Sequence, residues 1–155
     1  MLYLVFLLLL LLWLAALVTQ AFHLKQFLIP AFMTEKLITS TILKATGAGI
    51  VLLSVLLMFV TLLHFRQSLR FGMNNNNQGK LVTSGIFSLT RNPFFLSLDF
   101  YFVGQAMVFP GILFICMSIL TILSIHFFIL KEEKFLLRHY QNNYFDYARK
   151  VRRYF

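Results

Sequence analysis

Four long apolar stretches, three of them free of any formal charge, constrain this chain more than any other feature. They run from Leu2 to Phe22, from about Ala45 to Phe65, from Pro93 to Phe109, and from Ile112 to Leu130. A helix that crosses the roughly 30 Å hydrocarbon core of a bilayer needs about 20 predominantly apolar residues. The third stretch is the short one, about 25 Å at the helical rise. Pro93 suits a first helical position, and Pro110-Gly111 interrupts the chain before the fourth stretch, so stretches three and four read as a tight helical hairpin. The first stretch lacks a basic leader, and its apolar core exceeds the roughly 7–15 residues of a cleaved signal peptide, so it reads as a span. The expected fold is all-α: a polytopic membrane protein of four transmembrane helices plus a C-terminal amphipathic interfacial helix, with residues 1–155 forming one domain.

Composition supports the same class. The 155 residues are 59% apolar and 12% charged, against about 45–50% and about 25% in soluble domains. Soluble cofactor-binding folds, disordered chains and disulfide scaffolds are excluded together. The lone Cys116 has no intrachain disulfide partner.

Charge placement then sets the topology. Fourteen Lys and Arg stand against five Asp and Glu, a net of +9. In a soluble protein that surplus would point to nucleic acid; here it points to lipid. The second connection carries Arg66, Arg70, Lys80 and Arg91 with no acid. The segment after the fourth stretch carries Lys131, Lys134, Arg138, Arg149, Lys150, Arg152 and Arg153 against three acids. With four spans these two regions share a side. The positive-inside bias makes it the cytosol and puts both termini there. Membrane lipids are the expected surroundings, and no nucleic acid is expected as a partner.

Beyond the fourth stretch, Glu132, Leu136, Tyr140, Tyr144, Tyr147 and Val151 are spaced 4, 4, 4, 3 and 4, the signature of one helical face. Lys134, Arg138, Gln141, Arg149 and Arg152 fall elsewhere. An interfacial amphipathic helix accounts for most of this pattern. Glu132 is the exception, a carboxylate at the membrane boundary on the aromatic side.

Two separated stretches carry a resemblance. One is Leu81-Val82-Thr83-Ser84-Gly85-Ile86-Phe87-Ser88-Leu89-Thr90-Arg91-Asn92-Pro93-Phe94-Phe95; the other is the Glu132-Glu133 pair with Leu136, Tyr140, Tyr144, Tyr147, Val151 and Arg153. Flanking a helical hairpin, they resemble the isoprenylcysteine carboxyl methyltransferase and phospholipid methyltransferase superfamily of integral membrane enzymes. The likeness covers residues 80–155, about half of the chain. It implies a methyltransferase that binds S-adenosylmethionine (SAM) at the cytosolic membrane face and acts on a hydrophobic small-molecule or lipid acceptor. It implies a cofactor-binding half over residues 79–155, with Gly79, Lys80, Leu81, Val82, Phe87, Asn92, Pro93, Phe94 and Phe95 lining the cofactor and Glu132 holding its polar groups. It also makes Arg91, Asn92 and Glu133 the catalytic candidates.

Phe87 and Phe95 stand where relatives commonly carry Tyr, Gln141 and Ser97 stand at usual Gly positions, and Phe128 replaces the Arg that serves a substrate carboxylate in prenylcysteine enzymes. An acceptor carboxylate would lose its charge-assisted partner, so prenylcysteine is discounted. The alternative to an enzyme is a non-catalytic membrane scaffold, or a degenerate relative that keeps the fold.

Methyl transfer from a sulfonium needs orientation and exclusion of water more than covalent help, and an Asn amide with a carboxylate can bond the polar ends of such a cofactor. An N–H or S–H acceptor must also lose a proton. Asp99 and His126 are the candidates for that task. In an antiparallel hairpin both lie about 7–9 Å inside the cytosolic end, where ionisable groups are costly and are paired or functional. They are expected to lock the hairpin as an Asp-His pair, to serve as a proton relay or in substrate binding, or to snorkel separately. His23, His64 and His139 read as interfacial anchors. No Cys/His spacing suggests a metal site, and Ser84 and Ser88 have no base to activate them.

Overall fold

The computed structural model describes residues 2–22, 30–66 and 81–154. Gly79, Lys80, His23 and the polar run Asn74–Asn77 lie outside them. Helix α1 spans Leu2–Ala21, α2 Ala31–Thr34, α3 Thr41–Arg66, α4 Pro93–Val108 and α5 Ile112–Lys150, with a 3₁₀ turn over Gly85–Ser88. No strand occurs among the described residues. Two segments, Thr41–His64 and Ile112–Lys150, are long and apolar enough to cross a membrane, and only 17% and 28% of their most apolar windows is buried. A core helix of a soluble protein would hide that surface; these helices present it outward, as lipid-facing helices do. Two shorter apolar helical segments, Leu11–Ala21 and Pro93–Val108, accompany them.

The chain divides into two compact units, Met1–Val51 with Phe102–Ile122, and Leu52–Tyr101 with Leu123–Phe155. The first unit is packed by shape. The rings of Trp13 and Phe102 meet at 5.1 Å between centroids, and Ala16 and Phe114 are almost fully buried. At its centre Gly47 of α3 faces Gly104 of α4. A Cβ on Gly47 would come within 2.8 Å of the Gly104 carbonyl, and one on Gly104 within 2.8 Å of the Gly47 carbonyl. Lipid provides no hydrophobic drive between helices, so close backbone approach at small residues takes its place. The Leu37 amide donates to the Pro110 carbonyl at 2.9 Å, which ties the connection before α3 to the turn between α4 and α5.

The second unit holds the rest of α3 and α4, the segment 81–92, and the distal part of α5 with the tail. Gly85 adopts φ +64°, and the ring of His64 occupies the space a Cβ would need. His64 Nδ1 donates to the Val60 carbonyl at 2.8 Å.

The expected continuous helical face after Leu130 is corrected. Backbone angles inside α5 leave the helical region at Gln141 (φ 46°, ψ −121°). A positive φ interrupts the helical ladder, so Glu132, Leu136 and Tyr140 precede the break and Tyr144 and Tyr147 follow it. Val151 lies beyond the last helical residue. Each piece still keeps its apolar side inward. Tyr144 and Tyr147 are buried and Glu132, Leu136 and Tyr140 half-buried, whereas Lys134, Arg138, Gln141, Arg149 and Arg152 are exposed.

Candidate functional site

The polar groups of the second unit converge where segment 90–92 meets the tail. The Arg91 amide donates to the Arg152 carbonyl at 3.0 Å, and the Thr90 hydroxyl donates to the Arg153 carbonyl at 3.0 Å. Asn92 sits at the N-terminus of α4, where its carbonyl accepts the Leu96 amide at 3.0 Å. Buried Pro93 follows it, at a position that has no use for an amide donor. The side chain of Asn92 turns to partners outside α4. Its Nδ2 donates to Glu133 Oε1 and to the Arg153 carbonyl, both at 3.3 Å.

Glu133 is the hub. Arg153 donates to its Oε2 through Nε at 3.1 Å and through a terminal nitrogen at 2.8 Å. The Arg91 guanidinium reaches its Oε1 at 3.3 Å and also bonds the Tyr144 phenol. The hydrogen bond to Glu133 holds the Arg153 guanidinium above its ordinary value. Both oxygens of Glu133 are therefore engaged by charged or amide donors, the strong class of hydrogen bond. A second link closes the cluster, from the Tyr147 phenol to the Phe87 carbonyl at 2.6 Å.

Glu132, one residue away, is the opposite case. Its Oε2 is buried and has no hydrogen-bond partner, and the Nε of Arg91 is in the same position. Buried polar groups left unmatched cost about 1–3 kcal/mol each, more when charged, so each of these two atoms is open to a partner from elsewhere. A ligand with an ammonium or hydroxyl group at one end fits that chemistry.

The model of the phospholipid methyltransferase family matches residues 36–143, more than half of the chain. The chain belongs to that family. Membership implies a methyltransferase and, with the two long apolar helices, a membrane protein. No curated protein matches the chain significantly, and no solved structure does. The family match takes in α3, α4 and the Glu132-Glu133 pair, and it ends before Tyr144, Tyr147, Arg153 and Tyr154.

Of the residues singled out in the sequence, Arg91, Asn92 and Glu133 form one bonded cluster. Phe94 and Phe95 sit together on the first turn of α4, with centroids 5.8 Å apart. Phe95 also meets Phe128 of α5 at 5.5 Å, so an aromatic contact occupies the position of the prenylcysteine enzymes' Arg. Leu81 and Val82 are half-buried.

The expected direct Asp99-His126 pair is not formed. His126 Nδ1 instead meets the Tyr154 hydroxyl at 2.6 Å, and Asp99 Oδ1 is buried without a partner. The tail supplies the group that the hairpin alone was expected to provide, which is why the pairing could not be read from the two helices. Tyr154 and Thr90 went unrecognised. Neither carries a motif, and the decisive acceptors on the tail are main-chain carbonyls, which leave no mark on a sequence.

Proposed function

We propose that this chain is an integral membrane, SAM-dependent methyltransferase that acts on a lipid-soluble or membrane-embedded acceptor. The observation that carries the reading is the unmatched, buried Glu132 carboxylate oxygen beside the fully engaged Glu133. Family membership supports the same reaction class. In this reading Gly79, Lys80, Leu81, Val82, Phe87, Asn92, Pro93, Phe94 and Phe95 line the cofactor, and Glu132 bonds its hydroxyl or ammonium groups. When bound, the cofactor supplies a methyl group on a sulfonium sulfur. The protein then has to bind, orient and exclude water. Arg91 and Asn92 are each bonded to Glu133 and hold this region rigid, and such positioning supplies several kcal/mol toward a bimolecular transfer. In this reading the half-buried Phe95 ring, packed on Phe128, helps to exclude water. The reading includes four spans, with both termini and the active site on the cytosolic side, as the basic connection and tail demand.

Thermal unfolding of the detergent-purified protein with S-adenosylhomocysteine tests this. Ligand at 100 times its Kd adds about 2.7 kcal/mol to the stability of the form that binds it. Glu132→Ala should abolish that increment while its ligand-free unfolding stays cooperative. Unchanged affinity in Glu132→Ala refutes the site, and no stabilisation of the wild type at millimolar ligand leaves a non-catalytic relative of the family.

A further inference from the structure

The side chains of Asp99, His126 and Tyr154 make no hydrogen bond to the Glu133 cluster among the described residues. Asp99 comes from α4 and His126 from the apolar part of α5, and Tyr154 arrives from the tail, 28 residues beyond His126. The His126 and Tyr154 rings stack at 6.1 Å with 26° between their planes, and the 2.6 Å contact joins Nδ1 to the phenol. Asp99 Oδ1 is buried with no hydrogen-bond partner, and no ion pair of Asp99 occurs among the described residues. Burial first, and the Asp99 charge second, push the Tyr154 phenol above its ordinary value. The titratable and charged groups acting on this phenol are Asp99 from α4, His126 and Glu133 from α5, and Arg153 beside it on the tail.

Ionisable groups at membrane depth mark proton or substrate paths, because an idle one is too costly to keep. An Asp-His lock would justify these residues structurally, but His126 is committed to Tyr154 and Asp99 keeps an open oxygen.

We propose that Asp99 takes the proton released by the methyl acceptor, with the His126–Tyr154 contact as the positioning element that holds the carboxylate's surroundings polar. The proposal rests on the methyltransferase reading and specifies its acceptor as one whose nucleophilic atom carries a hydrogen. The acceptor's lone pair forms the new bond to the methyl carbon, and the carbon–sulfur bond breaks with its electrons left on sulfur. The acceptor's hydrogen passes to Asp99 Oδ1. One carboxylate and one sulfonium become a neutral acid and a neutral thioether, so charge balances and no further reactant is needed.

Asp99→Asn is nearly isosteric and removes only the charge and the basic oxygen. It should bind S-adenosylhomocysteine as the wild type does, since Asp99 is not among the residues proposed to line the cofactor. Transfer of labelled methyl from SAM into a total membrane lipid extract should fall by about 100-fold or more, the worth of a positioned base. The wild-type rate should decline as pH falls and the base becomes protonated, and that acid limb should vanish in Asp99→Asn. Tyr154→Phe should cost less, about 10-fold, and should move the limb without removing it. A readout independent of turnover accompanies these: in protein labelled with ¹³C at the tyrosine ring, the Tyr154 midpoint should drop in Asp99→Asn. An unmoved Tyr154 midpoint, or undiminished transfer by Asp99→Asn with ligand binding intact, overturns the proposal and leaves the methyltransferase reading standing. A wild type that S-adenosylhomocysteine does not stabilise removes both.

Discussion

Where Gly47 meets Gly104, two helices approach until each backbone excludes a Cβ from the other, and no charged group takes part. Around Glu133, three segments meet through two guanidiniums, an amide and two main-chain carbonyls of the tail. The first junction is held by shape, the second by charge. The difference follows from their surroundings. Between apolar helices in lipid the remaining source of specificity is fit, whereas irregular backbone such as segment 81–92 carries donors and acceptors that must be matched. The first junction should therefore be intolerant of volume and indifferent to salt and pH. The second should tolerate volume and fail when a charge is removed.

The largest effect is expected at the crossing. Gly104→Leu has no space to enter, because the atoms in its way are backbone and the Val51 side chain rather than the far end of a flexible side chain. Overpacking costs about 1–3 kcal/mol when neighbours can shift and more when they cannot, so this variant should lose cooperative unfolding in detergent. A Gly104→Leu protein with wild-type Tm would break the comparison on its first side. The charge-held junction comes next. Glu133→Ala leaves Arg91, which is 13% exposed at its side chain, without its carboxylate partner. Removing one partner of a buried pair costs about 3–5 kcal/mol. The lower end applies here, because Arg153 is 34% exposed and can turn to water. Denaturant unfolding should show a loss of about 3 kcal/mol, and Glu133→Gln should recover part of it by keeping an acceptor for one arginine. If Glu133→Ala costs under about 1 kcal/mol, the value of a surface ion pair, charge does not hold this junction.

The two junctions were unequally legible in the sequence. Helices α1, α3 and α4 begin and end within a few residues of the apolar stretches, because hydropathy, Pro93 and Pro110-Gly111 state those limits directly. The glycines of α3 and α4 were visible, but which pair would meet depends on helix rotation, which has no local signal. The Arg-Asn-Pro and Glu-Glu segments were visible as motifs, and Asn92 and Glu133 do meet. What could not be read was the return of the tail. Its anchors are the Arg152 and Arg153 carbonyls, and its aim depends on a break at Gln141 that neither Gly nor Pro announces. The stripe through Tyr140, Tyr144 and Tyr147 continues across that break, since both helical pieces bury one side, and so periodicity alone reports a single helix.

That break gives the smallest and most discriminating effect. Gln141 is the one non-glycine residue at positive φ among those described, in a region where a Cβ costs about 1–3 kcal/mol. Gly85, the other positive-φ position, already carries the residue that conformation favours. If the Glu133 cluster pins the tail, Gln141 is held in its conformation by contacts made after it, through Tyr147, Arg153 and Tyr154. Gln141→Gly then removes strain while keeping the route of the chain. Against this stands the greater freedom of glycine in the unfolded state, roughly 0.4–1 kcal/mol. The balance is a gain of about 1 kcal/mol, which a Tm rise of about 2–4 °C would register at this chain length. The sign is the test. Combined with Glu133→Ala the gain should shrink, because a tail no longer pinned can relax Gln141 without substitution. Strict additivity of the two changes would show that the strain at Gln141 is set inside α5 and owes nothing to the charged junction.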